Sequence, residues 1–316
     1  MKKSILFLSL MMALVFCVVS CVAAESVSPE SLLVGGAVPV TWEVSEEHLM
    51  VDTQEARDLF ERIDNKDYPS LEELKAHPVV AQLDSLSAYY KALYGITAEI
   101  DTPEREQIRR DTLAWFLARG SARTTSVTGK GKHYYAYDGP LKSEYKLEVV
   151  LGLPSSGKSS SVADPDSETM SAFILDCDMI KAALPEYKES HGAGADAVHL
   201  ESMNIMKDAM NAFLSGDMNG TNVILPIVAT DLEELLSDYI RPFEAAGYHV
   251  NVKFKEIEPN VSAAKVVRRE LKGGQLINSA VAFSFGTGPE DVYRELSVML
   301  NPDGIPYGQV AAENEK

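Results

Sequence analysis

The chain has 316 residues, 46% of them hydrophobic and 24% charged, which is an ordinary globular composition with material for one large core or two smaller ones. Acidic residues outnumber basic ones 47 to 29, for a net charge of −18, so the surface field repels phosphate backbones outside any locally basic pocket and disfavours nucleic acid as a partner. No internal repeat with a period of about 20–50 residues is visible, which excludes solenoids and propellers.

Lys2 and Lys3 precede an apolar run over 5–19 and then small residues, the layout of a secretory signal occupying residues 1–24. Val22-Ala23-Ala24 reads as a simple cleavage site, whereas Val18-Val19-Ser20-Cys21 resembles the lipobox of bacterial lipoproteins, in which Cys21 is acylated and tethers the chain to a membrane. The lipobox is the preferred reading. The stretch 5–24 is also just long enough for an uncleaved anchor. The expected location is therefore exported: the cell envelope, the periplasm or the medium. After either cleavage Cys177 is the one internal cysteine, so no intramolecular disulfide can form.

Residues 25–141 predict a small, mainly helical domain, with apolar residues at three-to-four spacing over 53–63, 70–77, 78–94 and 103–119. Thr102 is a natural N-cap, Pro103 suits the first helical position, and Glu104 and Glu106 suit the first turn. The Gly/Ser/Thr-rich stretch 120–132 reads as a connector. Tyr134, Tyr135 and Tyr137 after it are better suited to packing between domains than to stacking on an adenine.

Over 142–300 strands alternate with helices. Strands are predicted at 147–151, 172–175, 222–228 and 249–257, and helices open at Lys158 and span 197–214, 231–246, 262–271 and 289–300. This alternation predicts an α/β fold, a parallel sheet flanked by helices with its ligand at the carboxyl edge of the strands. A polar tail follows over 301–316.

The most informative motif sits at such an edge. Gly152-Leu153-Pro154-Ser155-Ser156-Gly157-Lys158-Ser159, with Ser160 behind it, satisfies G-x-x-x-x-G-K-[ST] and directly follows the first predicted strand. Glycines free backbone N–H groups to face phosphate oxygens, Lys158 reaches the β- and γ-phosphates, and Ser159 ligates Mg²⁺. Nucleoside-triphosphate binding is the expectation, with ATP and Mg²⁺ as cofactors.

A P-loop does not by itself separate ATPases, GTPases and kinases, so the acids decide. Asp176-Cys177-Asp178 follows the second strand, which brings both carboxylates to the same edge. Asp178 is the candidate base for an attacking hydroxyl and Asp176 the candidate holder of Mg²⁺, with Asp178 as N-cap of a following helix the plainer alternative.

Several segments taken together resemble the zeta toxin family. They are Gly152 to Ser159, Leu175-Asp176-Cys177-Asp178-Met179-Ile180-Lys181, Leu184-Pro185-Glu186-Tyr187, Gly192-Ala193-Gly194-Ala195, Val198-His199-Leu200-Glu201-Ser202, Asn222-Val223-Ile224-Leu225-Pro226 and Ala246-Gly247-Tyr248-His249-Val250. The match runs over roughly 144–275. It implies a P-loop kinase that phosphorylates UDP-N-acetylglucosamine on a sugar hydroxyl, with Lys158 and Ser159 on the nucleotide and metal, Asp178 as the catalytic aspartate, and an antitoxin as a partner. His199 and Glu201 fall where that family lines its sugar-nucleotide cleft. Helical geometry alone makes His199 a surface or cap residue, and leaves Glu201 either a binding residue or solvent-exposed.

Two departures stand out. The family's two arginines four apart align with Lys265 and Arg269, and its Gly-Arg lid pair aligns with Gly274-Gln275, so the lid arginine is missing. Arg268, Arg269 or Lys272 then has to substitute, or the enzyme is slower; a solvated helix face is the bland reading of these cations. Leu225-Pro226 stands where other members carry an acid after the third strand, which shifts that task to Asp176 or Asp208. The leading expectation is an ATP-dependent phosphotransferase acting on a small-molecule hydroxyl. The alternative is an exported nucleotide- or sugar-nucleotide-binding protein with weakened catalysis.

Overall fold

The computed structural model describes residues 49–118, 139–273 and 275–300. The leader and Cys21, the connector with its three tyrosines, Gly274 and the tail lie outside the described residues. Among the described residues no helix is long and apolar enough to cross a membrane.

The chain begins with helices α1 (Gln54–Asp64), α2 (Leu71–Ala76), α3 (Pro78–Tyr94) and α4 (Pro103–Ala118). Their starts follow from local chemistry. Thr53 caps α1, and Ser70 and Glu73 form a reciprocal capping box on α2. His77 caps α3, where Pro78 takes the position that needs no N–H, and Gly95 ends the helix in a conformation with φ of 70°.

Four strands follow: β1 (Lys146–Gly152), β2 (Phe173–Ile174), β3 (Val223–Ile227) and β4 (His249–Lys255). They form a parallel sheet in the order β2-β3-β1-β4, flanked by helices. The α/β expectation therefore holds. β2 is shorter than the predicted 172–175. This explains how β3 tolerates Pro226. The carbonyls of Asn222 and Ile224 accept bonds from the β2 side, so Pro226 faces the same way, beyond the point where β2 has ended. The stretch predicted as one helix over 231–246 is three pieces, α9 (Leu232–Leu235), a π-helical turn (Leu236–Ile240) and α10 (Arg241–Ala245).

The remaining helices are α5 (Asp164–Met170), α6 (Cys177–Lys181), α7 (Pro185–Glu189), α8 (His199–Leu214), α11 (Pro259–Leu271), α12 (Ser279–Ala282) and α13 (Gly288–Leu300). On β1, Leu147, Val149 and Leu151 join the main core with Phe173, Phe213 and Phe243, while Val150 joins a smaller one with Val162 and Ile224 on the other face.

Helices α1 to α3 share a core with the far end of the chain. Leu59, Ile63, Leu74, Val80 and Leu83 pack with Val266, Val267, Leu271 and Phe283. Phe116 of α4 enters the main core edge-on to Phe173, with ring centroids 5.2 Å apart. Apolar packing thus continues across the predicted domain boundary at 141/142.

Candidate functional site

β1 delivers the chain to the loop at the carboxyl edge of the sheet. Gly152 has φ of 155°, and a Cβ there would lie 2.7 Å from the Lys255 carbonyl oxygen, so only glycine lets β1 turn this close to β4. Gly157 is left-handed, and a π-helical turn, Lys158–Ala163, leads into α5. Lys158 Nζ donates to the carbonyls of Gly152 (2.8 Å) and Leu153 (2.7 Å), folded along the loop that its motif assigns to phosphate. Burial lowers its pKa to about 8, against the pull of Asp176 and Asp178. Ser156 is buried with no partner for its hydroxyl.

The acids meet this loop. Asp176 Oδ2 lies 3.5 Å from Ser159 Oγ, and Asp176 Oδ1 accepts from the Asp178 backbone N–H at 2.9 Å. The cap of α6 is therefore Asp176 and not Asp178, because the extended backbone at 176 is what turns a carboxylate back onto the N–H of the second helical residue. Burial first, and then the charge of Asp178, raises the Asp176 pKa to about 6. Lys181 is 4% exposed and donates to Asp178 Oδ1 at 3.0 Å. Burial opposes its charge, yet Asp178 holds its pKa above the ordinary lysine value.

The donor set fits a hard cation. Asp176 and Asp178 offer carboxylate oxygens within 4.8 Å of each other, and Ser159 adds a hydroxyl. Cys177, between them, contributes little, since burial pushes its thiol up to about 12 and keeps it protonated. Asp208 sits on the solvent face of α8 and is not part of this group.

Helix α11 supplies a third cation. Ser262 Oγ donates to the Pro154 carbonyl at 2.6 Å, tying the helix to the loop, and Arg269 lies seven residues on, on the same face. The Arg269 charge acts on Lys158, Lys181 and Tyr187, and its Nε is buried without a protein partner. Arg268 and Lys272 point elsewhere: both lie over the Phe60 ring, at 5.1 and 4.7 Å, and Arg268 pairs with Asp64. Of the three candidate substitutes for a lid arginine, the geometry brings Arg269 to the loop. Gln275 is 1% exposed and hydrogen-bonds Tyr187, so it serves the core beneath the site.

The two expected sugar-nucleotide residues part company. His199 is exposed at the start of α8, within electrostatic range of Lys181 and Asp178. Glu201 is neither exposed nor turned toward a ligand. It is fully buried, with its carboxylate held by Arg105 and Arg109 of α4. The partners come from 96 and 92 residues earlier, so the local pattern around Glu201 carries no sign of them. The sequence reading also missed Lys181 and Tyr187. An apolar-flanked lysine three residues past Asp178 was the available signal for the first.

The family model described as zeta toxin matches residues 140–284. No curated protein matches the sequence. Among solved structures, one from the PezAT chromosomal toxin–antitoxin system of the human pathogen Streptococcus pneumoniae aligns over 64% of this chain and 74% of its own, at 15% identity and a TM-score of 0.43. The matched segment contains the P-loop, Asp176, Asp178, Arg269 and the whole sheet. Residues 140–284, a little under half of the chain, are thus similar to the zeta toxin family, whose members are P-loop phosphotransferases.

Proposed function

We propose that the chain is an ATP-dependent phosphotransferase that transfers the γ-phosphoryl group to a hydroxyl of a small molecule, with UDP-N-acetylglucosamine as the acceptor. The observation that carries the reading is the meeting of Ser159 with Asp176 at 3.5 Å, with Asp178 in the first turn of the helix that Asp176 caps and held by Lys181. This groups a phosphate loop, a metal-fitting acid and a separate base.

Asp178 takes the proton of the acceptor hydroxyl as its oxygen attacks the γ-phosphorus. Lys158 exchanges its two loop carbonyls for phosphate oxygens, and Arg269 turns its unpartnered Nε to the charge on the transferring group. Ser159 and Asp176 would hold Mg²⁺, whose contribution there is neutralisation of charge across the β- and γ-phosphates. The backbone N–H groups of the loop, including those of Ser155 and Ser160, line the phosphate path, and that of Ser156 would leave the Leu153 carbonyl, 3.3 Å away, to join them. His199 stands at the rim where an acceptor would enter.

The leader over 1–24 supports an exported chain with membrane attachment through Cys21. A second reading, an exported nucleotide-binding protein with weakened catalysis, is favoured by Gln275 standing buried where the family carries an arginine. The deciding experiment offers labelled Mg·ATP and a panel of acceptors headed by UDP-N-acetylglucosamine to the full chain, beside Lys158→Ala and Asp178→Asn. Labelled acceptor that disappears in both variants is the expected outcome. A rise in melting temperature with ATP but no labelled acceptor would put the binding reading in its place.

A further inference from the structure

Arg105 lies on α4, ahead of the zeta-toxin-like domain, and is 5% exposed. Its Nε donates to Glu201 Oε1 at 2.7 Å and its Nη1 to Glu186 Oε1 at 2.5 Å. Its Nη2 donates to Glu186 Oε2 at 3.2 Å and also to Glu201 Oε2. Arg109, one turn on, donates from Nε to Glu201 Oε1 at 2.8 Å and from Nη2 to the carbonyls of Thr97 and Ile100, at 3.0 and 2.7 Å. One planar guanidinium thus grips carboxylates from two separate helices, the fully buried Glu201 of α8 and the half-buried Glu186 of α7. A lysine, with its compact charge, cannot span both in this fork.

Both gripped helices border Asp178. Glu186 is followed by Tyr187, and Glu201 stands two residues after His199. The charge of Asp178 acts on both of those side chains. Tyr187 is also tied to Gln275. The spacing of α7 and α8 therefore sets where Tyr187 and His199 stand around the base.

We propose that Arg105 is a positioning residue for the acceptor side of the site, acting from outside the zeta-toxin-like domain by fixing α7 against α8; for the word acceptor this rests on the phosphotransferase reading above. The N-terminal helices are then part of the working enzyme.

The test uses the full chain carrying Arg105→Lys, and a neutral triple variant, Arg105→Met with Glu186→Gln and Glu201→Gln, which removes the buried charges together. Hydrogen exchange is read first, since it needs no activity. Exchange at 185–201 is expected to rise by about tenfold in both variants while that of β1 stays within about twofold, as for a local rather than global opening. Steady-state kinetics come second. The acceptor KM is expected to rise about tenfold or more with ATP affinity unchanged, because a misplaced wall weakens acceptor placement and not the P-loop. Unchanged exchange at 185–201, or a wild-type acceptor KM in both variants, would overturn the proposal. If the wild type transfers no phosphate while exchange at 185–201 responds as expected, the functional reading fails and the clamp stands.

Discussion

Two buried acids in this molecule behave in opposite ways. Glu201 has no solvent exposure, and burial alone would raise its pKa, yet hydrogen bonds from Arg105 and Arg109 more than offset this and hold it below the ordinary glutamate value. Asp176 is nearly as buried, and its pKa climbs to about 6, first through burial and then through the neighbouring Asp178 carboxylate, which the Asp178 backbone N–H and two lysines only partly offset. Glu201 is matched by two guanidiniums of α4, whereas Asp178 has the Lys181 ammonium and Asp176 sits against Asp178 and the Ser159 hydroxyl, at the end of the sheet where the phosphate loop begins. The lesson is that burial of an acid does not by itself mark function; an acid pressed against a second acid beside a phosphate loop is the better sign.

The contrast can be broken from either side. Asp178→Asn should reduce phosphoryl transfer by about 10³-fold or more; it also strips the buried Lys181 of its carboxylate, so the melting temperature should fall as well, and Asp178→Asn combined with Lys181→Met should recover the fold without the activity. Glu201→Ala should weigh chiefly on folding: two guanidiniums lose a carboxylate, and chemical denaturation should show a loss of about 3–5 kcal/mol, alongside the rise in acceptor KM that loosening the clamp brings. A smaller loss, about 2 kcal/mol, is expected for Lys253→Met. This lysine bridges Glu148 (3.0 Å) and Asp166 (2.7 Å) over the smaller core, and without it burial and mutual repulsion act on two carboxylates unopposed.

The smallest effect sharpens the comparison by pH. Burial first, then the Asp176 charge, raises the Asp164 pKa to about 7 from an unfolded value of 3.8. The folded state thus holds this proton more tightly, so its stabilising contribution is complete below the unfolded value and is lost as pH rises through about 7. Asp164→Asn should leave stability at pH 4 unchanged and add about 1 kcal/mol at pH 8, after allowance for partial exposure, as read from melting curves at both values.

Much of the architecture was legible because its signals are local. Pro78 and Pro103 mark helix starts to the residue, and the β1 run into Gly152 fixes both a strand and its loop. The predicted helix over 53–63 matches α1 to within one residue. What escaped depends on distant partners. Nothing around Glu201 announces Arg105, and nothing around Gln275 announces Tyr187, since those contacts exist only once helices from different parts of the chain are packed. The π-helical turns at 158–163 and 236–240 escaped for a related reason: helical periodicity does not distinguish a bond to the fourth residue from one to the fifth. Of the three cations weighed for the lid, spacing alone could not choose, and the Phe60 ring decided by engaging two of them.

The core shared by α1 to α3 with α11 has a consequence for how the chain comes into being. Asp64 and Arg268 are joined across 204 residues, and Asp84 and Ser279 across 195. At a synthesis rate of about 5–20 residues per second, roughly 10–40 s pass between the emergence of the first helices and that of the segment which covers them. Through that interval Leu59, Leu74 and Leu83 have no native surface to bury against. Helices made early are thus among the last to be finished, and a nascent chain that stops short of residue 259 leaves the apolar faces of α1 to α3 uncovered.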